Sequence, residues 1–219
     1  MNIFFIAPEV EPFAKTGGLA DVAAALAKAL AALGHDVRIA MPLYRQVSRD
    51  RFGLRRTRNT VAVAMGARTL EGIVWEATLP APTTARSKSR VPVYLIECAP
   101  LFDRDGLYQT QGSDHPDNLE RFSFFSQAAL RMLPALNWRP DVVHCHDWQS
   151  ALACAHLTRG PMAHEPLFSS MGTVLTVHNL AYQMHDPNWE RPTAAHNNTV
   201  VDIAYNPRWL PNLTLAFFS

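Results

Sequence analysis

The chain has 219 residues, enough for one large domain, and its formal net charge is +1. A charge so close to zero argues against a strong attraction to nucleic acid or to a membrane surface. No apolar run approaches the roughly 20 residues that a membrane-spanning helix needs, and the N-terminus lacks the basic leader of a signal peptide. Three cysteines without framework spacing, Cys98, Cys145 and Cys154, indicate free thiols in a reducing cytoplasm.

The first 42 residues predict a strand, a glycine turn, a helix and a second strand. Residues 3–7 are apolar and are typical of a buried strand, and residues 37–41 form a second such run. Gly34 stands where a helix C-cap is expected. The positions that share one helix face in between are Leu19, Val22, Ala23, Leu26, Leu30 and Leu33. This order is a βαβ unit and predicts an α/β fold with a parallel sheet.

The turn at Lys15-Thr16-Gly17-Gly18 is a candidate phosphate site. A glycine turn before a helix presents free backbone N–H groups and the positive end of the helix dipole, and Lys15 adds a mobile charge. The alternative is a tight strand-to-helix turn with an exposed lysine. Asp21 is interpreted as a surface acid favoured by the dipole, or as a group that receives sugar hydroxyls or orients Lys15.

The middle of the chain predicts a β-meander inserted into the α/β unit. Residues 60–65, 72–79 and 91–97 look like three strands joined through glycines and prolines. Residues 45–58 are rich in arginine, and a solvated loop is favoured there over a polyanion site. Farther on, Asp117 and Glu120 have the spacing of a capping box before a helix that runs to about Leu133.

Three loops that follow predicted strands, 8–18, 144–148 and 178–183, are expected to meet at one edge of the sheet, where ligands bind in open α/β folds. His144 and His146 lie on one strand face and, with Asp147, could form a metal cluster. The favoured alternative is a set of polar groups facing a cleft, with Asp147 also capping the next helix and Trp148 packing.

Residues 178–183, His-Asn-Leu-Ala-Tyr-Gln, follow the last clear strand, at residues 173–177. They bring an imidazole, two amides and a phenol to one loop. Amides bind hydroxyls and an aromatic ring can stack on a pyranose, so this loop predicts a sugar-binding lip. The alternative is that His178 has a structural role.

Taken together, residues 7–22, 33–38, 143–149 and 176–183 resemble the N-terminal domain of bacterial glycogen synthase and plant starch synthase. The resemblance implies a GT-B glycosyltransferase, in which two Rossmann-like domains enclose the active site. It also implies transfer of glucose from ADP-glucose to an α-1,4-glucan (glycogen) acceptor with retention of configuration, with no cofactor and no bound metal.

The resemblance further implies roles for individual residues. His178 is expected to be catalytic, beside the transferred glucose. The expected substrate-binding residues are Lys15, Gly17, Gly18, Asp21, Tyr108, Asp147, Asn179, Tyr182 and Gln183. Of these, Lys15 and the two glycine amides would hold the donor phosphates, Asn179 would contact the sugar, and Tyr182 and Gln183 would line the glucan side.

The resemblance ends near residue 183. Met184 stands where the family normally has Gly, and no helical or strand period is visible after it. We therefore expect residues 1–183 to be the N-terminal catalytic domain and 184–219 an atypical tail, with the second GT-B domain absent from this chain. Such a chain would be an inactive half-site; the alternatives are a non-catalytic glucan- or phosphate-binding module and a non-functional truncation.

Overall fold

The computed structural model describes residues 1–79, 90–179 and 213–217, and a large β-sheet forms its centre. The strands are β1 (Asn2–Ile6), β2 (Asp36–Pro42), β3 (Arg55–Met65), β4 (Arg68–Leu79), β5 (Val91–Glu97), β6 (Gln109–Thr110), β7 (Ser113–Asp114), β8 (Val142–His146), β9 (Gly172–Val177) and β10 (Leu213–Phe217). Eight of them form the main sheet in the order β10-β9-β8-β1-β2-β5-β4-β3, and β6 and β7 form a separate hairpin.

The main sheet is mostly parallel, which confirms the predicted α/β class. β1 is central and pairs in parallel with β2 on one side and with β8 on the other. The meander is confirmed as well, because β3, β4 and β5 pair antiparallel and β5 joins β2 in parallel. The chain leaves β1 in one direction across the sheet and returns to its other side at β8, so the strand order reverses between β1 and β8.

The helices in the described part of the chain cover this sheet. They are α1 (Gly18–Ala32), α2 (Ala99–Phe102), α3 (Asn118–Arg131) and α4 (Trp148–Thr158), with 3₁₀ turns at Leu133–Leu136 and Pro161–His164. α1 packs against β2, α3 against β3, and α4 against β8 and β9. Within the described residues, no helix has the length and apolar character needed to cross a membrane.

Helix α1 was predicted at the right place, but only part of its predicted buried face is confirmed: Leu19 and Ala23 are buried, whereas the leucines farther along the helix are not. Leu33 is 75% exposed, and Leu26 and Leu30 are only partly buried. The face against the sheet is made of small residues: Leu19, Ala20, Ala23, Ala24, Ala27 and Ala31. Alanines allow the helix to approach the sheet closely. Gly34 ends α1 with φ +92°, as predicted, and its N–H donates to the carbonyl of Ala31.

Helix α3 was predicted at the right place, and its apolar side chains Phe122, Phe125 and Ala129 are fully buried. The predicted capping box is wrong, because both of its acids bind arginines instead. Asp117 accepts a hydrogen bond from Arg104 at 2.8 Å, and Glu120 forms an ion pair with Arg68. These contacts tie the start of α3 to the preceding loop and to β4.

Close packing between α3 and the meander is visible at Gly72 in β4. A Cβ atom there would lie 3.0 Å from Cγ2 of Val61 and 3.1 Å from Cγ2 of Ile96 and Cζ of Phe124. Any side chain at this position would have to displace buried neighbours. Gly72 therefore marks where strand and helix come too close for a Cβ atom.

The arginine-rich segment is only partly a loop, because Arg55, Arg56 and Arg58 belong to β3. Two arginines of its loop portion form exposed ion pairs, Arg45 with Asp103 at 2.8 Å and Arg49 with Glu97. The favoured interpretation of solvated charges agrees with this exposure.

The last described segment corrects the expectation of a tail without strand structure. Leu213–Phe217 forms β10, which pairs in parallel with β9 from Thr173 to Val177. The apolar run at the end of the chain thus continues the sheet at its edge. The assignment of residues 184–219 to a separate atypical tail remains a prediction.

Candidate functional site

A cavity of about 580 Å³ lies at the carboxyl ends of β1, β8 and β9. It occupies the place where the strand order reverses, which is the usual ligand crevice of open α/β sheets. Six of the residues predicted to be functional line this cavity: Gly17, Gly18, Tyr108, Asp147, His178 and Asn179. The three candidate loops therefore converge on one volume, while the roles of the individual residues remain predictions.

Lys15 and Asp21 lie at the edge of this region and bind each other. Nζ of Lys15 is 2.7 Å from Oδ1 of Asp21, and both side chains are about half exposed. The hydrogen bond that Lys15 donates to the Asp21 carboxylate raises the pKa of Lys15. Neither residue lines the cavity. Among the interpretations given above for Asp21, this ion pair agrees with an exposed acid that orients Lys15.

Glu9 connects the glycine turn to the Tyr108 loop, and the sequence analysis missed it. Its carboxylate is 3% exposed and accepts hydrogen bonds from the backbone N–H and the hydroxyl of Thr16. It also accepts a long bond of 3.4 Å from the Gly17 N–H and one of 2.7 Å from the Tyr108 hydroxyl. The sequence signal for Glu9 is an acid that follows a buried strand within three residues.

Burial governs the phenol of Tyr108. Desolvation is the largest cause that raises its pKa, and the charges of Glu9 and Asp147 raise it further. Tyr108 therefore stays a neutral hydrogen-bond donor to Glu9. Its ring packs 6.3 Å from that of Trp148, which in turn lies edge-on to Phe122 at 5.2 Å. This aromatic wall closes one side of the cavity, since Tyr108 and Trp148 both line it.

Asp147 joins the end of β8 to the end of β9. Its N–H donates to the carbonyl of Thr176 at 2.8 Å, and its Oδ1 accepts the N–H of His178 at 2.6 Å. The predicted side-chain cap of α4 is therefore wrong, because the carboxylate accepts the N–H of His178, just after β9, instead. The backbone of Asp147 has φ +57° and ψ −178°, a combination that residues other than Gly rarely adopt.

The ionisation of Asp147 is also unusual. Burial raises the pKa of its carboxyl from 3.8 to about 6, against the opposing effect of hydrogen bonds from the backbone of His178 and Asn179. The negative charge of Glu9 raises it further. A strained backbone and a poorly solvated carboxylate at one residue are typical of a functional position.

Three histidines form a row beside Asp147. The rings of His144 and His146 stack at 4.3 Å, and those of His146 and His178 at 5.3 Å. Nδ1 of His146 lies 3.0 Å from Nε2 of His178, and Nε2 of His144 lies 2.7 Å from Oγ1 of Thr176. Burial lowers the pKa of all three, to about 4 for His144, so the row is neutral at pH 7.

His144, His146 and Asp147, which were considered as metal ligands, instead contact Thr176 and His178. Across residues 1–79, 90–179 and 213–217, no group of three His, Cys, Asp or Glu side chains is arranged to hold a metal ion. Tyr182 and Gln183, expected on the glucan side, lie outside the described residues.

Comparison with known proteins shows which family shares these features. Residues 2–207 match the family described as "Starch synthase catalytic domain". Among curated proteins, glycogen synthase 2 of Geobacter sulfurreducens is 45% identical over 183 residues, and glycogen synthase of Syntrophotalea carbinolica is 46% identical over 183 residues. Each alignment covers 84% of this chain and 36% of the relative, so the chain spans about a third of their length.

A solved structure is similar as well. The catalytic domain of starch synthase IV from Arabidopsis thaliana, bound to ADP and acarbose, matches with a TM-score of 0.70 and 33% sequence identity. The match covers 83% of this chain and 34% of the Arabidopsis chain. Both the sequence and the fold therefore correspond to about a third of longer proteins.

Proposed function

Because this chain belongs to the starch synthase catalytic domain family, we propose that it supplies the N-terminal half of a glucosyltransferase site. That site transfers glucose from ADP-glucose to the non-reducing end of an α-1,4-glucan, with retention of configuration. The observation that carries the proposal is the convergence of three motif-bearing loops, at Gly17, Asp147 and His178, on a single cavity. The Arabidopsis structure with ADP and acarbose supports a nucleotide and a sugar as ligands of such a cavity.

The glycine turn would receive the donor diphosphate. The Gly17 N–H makes a long bond of 3.4 Å to Glu9. Among the described residues, a Cβ atom placed on Gly17 or Gly18 would meet no atom within 4 Å. A phosphate oxygen can therefore approach this backbone. Lys15 is exposed and can turn from Asp21 toward the phosphates, where its charge would stabilise the negative charge that builds on the departing ADP.

His178 and Asn179 would hold the glucose at the other end of the cavity. His178 is neutral, and Asp147 fixes its backbone at 2.6 Å, so its ring can offer a hydrogen bond without bringing a positive charge next to a cation-like sugar. Tyr182 and Gln183 remain the proposed contacts for the glucan. We also propose a cytoplasmic location, which the buried free thiols of the three cysteines support.

The decisive experiment supplies the rest of the site. The chain is mixed with, or fused to, the C-terminal portion of the Geobacter sulfurreducens relative, and incorporation of labelled glucose from ADP-glucose into glycogen is measured. We expect turnover in the combined protein, and none from the 219-residue chain alone, because it spans about a third of its relatives. The matched control is Lys15→Ala in the same fusion.

Glycogen binding without turnover in a folded fusion would favour the non-catalytic binding module instead. Absence of a cooperative melting transition would favour the non-functional truncation. Turnover by the chain alone, above a Lys15→Ala control, would refute the half-site and imply that a second copy provides the missing wall.

A further inference from the structure

The contact between His146 and His178 constrains where their protons lie. Both rings are neutral, so each carries one N–H, and a nitrogen–nitrogen distance of 3.0 Å requires one donor and one acceptor. Two arrangements satisfy this condition. Either Nδ1 of His146 donates to Nε2 of His178, or Nε2 of His178 donates to Nδ1 of His146.

The surroundings of His146 favour the first arrangement. Its ring is fully buried between His144 and His178, with the ring of Phe5 at 4.9 Å. Its Nε2 has no hydrogen-bond partner in the part of the chain that the structure describes. In the second arrangement, the proton of His146 would sit on this Nε2 as a buried donor without an acceptor. Orphaned buried donors are rarer in proteins than under-satisfied acceptors.

The end of β9 is held at the backbone too. The N–H of Asp147 binds the carbonyl of Thr176, and the carboxylate of Asp147 binds the N–H of His178. These two hydrogen bonds, both with Asp147, hold the backbone at the end of β9, and the contact with His146 holds the ring of His178. His146 does not line the cavity, whereas His178 does.

We propose that His146 is a positioning residue: its Nδ1–H donates to Nε2 of His178 and holds that ring in the tautomer protonated at Nδ1. In this tautomer Nδ1 of His178 carries the proton and is a hydrogen-bond donor, whereas Nε2 is an acceptor. His178 would act on the sugar by donating a hydrogen bond and not as a general base. The kinetic consequence rests on the proposed glucosyltransfer, while the tautomer itself does not.

Nitrogen-15 NMR of the full 219-residue chain tests the tautomer directly, because protonated and bare ring nitrogens differ strongly in chemical shift. The signals of His178 are identified by their loss in His178→Ala. We expect a protonated Nδ1 and a bare Nε2 in the wild-type chain. A protonated Nε2 on His178 would overturn the proposal without any variant.

Two variants of His146 separate positioning from packing. His146→Asn keeps an amide near the place of Nδ1 and is expected to preserve the tautomer, whereas His146→Phe keeps a ring without the donor and is expected to release it. The matched control, His144→Gln, retains a polar atom near its Thr176 bond and should leave the His178 signals unchanged. Identical tautomers in the wild type and a folded His146→Phe variant would refute the role of His146; should His146→Phe not fold, the wild-type spectrum decides.

Kinetics in the fusion with a C-terminal portion give the second readout. A neutral hydrogen bond contributes enough for a loss of about 3- to 10-fold in kcat in His146→Phe, with KM for ADP-glucose unchanged and kcat restored in His146→Asn. A loss confined to KM would contradict positioning of His178. The two readouts can also disagree. If neither the wild-type fusion nor any variant transfers glucose, but the NMR spectrum shows the expected tautomer, the proposed function fails and the assignment of the proton stands.

Discussion

Replacement of Asp147 by Asn is expected to stabilise the fold at neutral pH. The asparagine keeps an oxygen for the N–H of His178 and approximates the protonated aspartate, but it cannot ionise. The carboxyl has a pKa of about 6 in the folded chain and an ordinary value of 3.8. Since one pKa unit corresponds to about 1.4 kcal/mol, ionising Asp147 at pH 7 costs the folded state about 3 kcal/mol.

The sign of the pH dependence follows from the raised pKa. Between pH 3.8 and about 6 the folded chain holds a proton that the unfolded chain has lost, so this residue lowers the free energy of unfolding as the pH rises through that window. Below the window both states are protonated and the cost disappears. Asp147→Asn should therefore exceed the wild type by up to about 3 kcal/mol near pH 7, and match it at about pH 3.5.

Urea unfolding of both proteins at the two pH values measures this difference, and the subtraction removes the contributions of all other titrating groups. Asp50→Asn, at an exposed position, is the matched control and is expected to change the free energy of unfolding by no more than about 0.5 kcal/mol. An Asp147→Asn effect that is the same at both pH values would refute the reasoning. The stabilised variant is expected to be a poorer enzyme in the fusion, because the carboxylate belongs to the cavity wall.

Three further predictions concern single substitutions. Gly72→Ala should lower the free energy of unfolding by about 1–3 kcal/mol in urea titrations, because its methyl group would meet buried atoms at 3.0–3.1 Å. The control is Gly18→Ala, whose methyl group would meet no atom within 4 Å. This control should unfold like the wild type and only raise KM for ADP-glucose. Lys15→Ala in the fusion should reduce kcat/KM for ADP-glucose by about 10- to 100-fold, while Lys28→Ala, within the helix α1 that follows the turn, leaves it unchanged; equal values in both variants would contradict the phosphate role of Lys15. His178→Ala should lower kcat more than it raises KM, as expected for an interaction made mainly in the transition state; a rise in KM at constant kcat would assign it to ground-state binding.

Much of the sheet could be predicted because apolar runs bounded by glycine and proline report strands directly. The strands at β1, β2, β5, β8 and β9 and the convergence of their loops followed from this pattern and from the geometry of parallel sheets. β10 was missed because its pairing with β9 joins segments far apart in the chain, which a short local run of residues does not reveal. The leucine spacing identified only part of the buried face of α1: Leu19 and Ala23 are buried, but alanines form most of that face.

The site was harder to predict than the fold, because its polar contacts join residues far apart in the chain. Glu9 meets Tyr108, and His146 meets His178, only once the register between strands is fixed. Local rules also misled at Asp117 and Asp147, which stand at helix starts as caps do. In both cases a distant partner, Arg104 or the backbone of His178, binds the carboxylate instead.

The position of β1 between β2 and β8 has a consequence for how the chain folds. The meander of β3, β4 and β5 consists largely of hairpin contacts between neighbours in sequence, whereas Ile3 in β1 pairs with Val142 in β8. Contacts that close such long loops form late and slowly. During synthesis, β1, with its buried rings Phe4 and Phe5, lacks one neighbouring strand until residue 146 has left the ribosome. The strand ends that carry the cavity are thus expected to be the last part of the sheet to form.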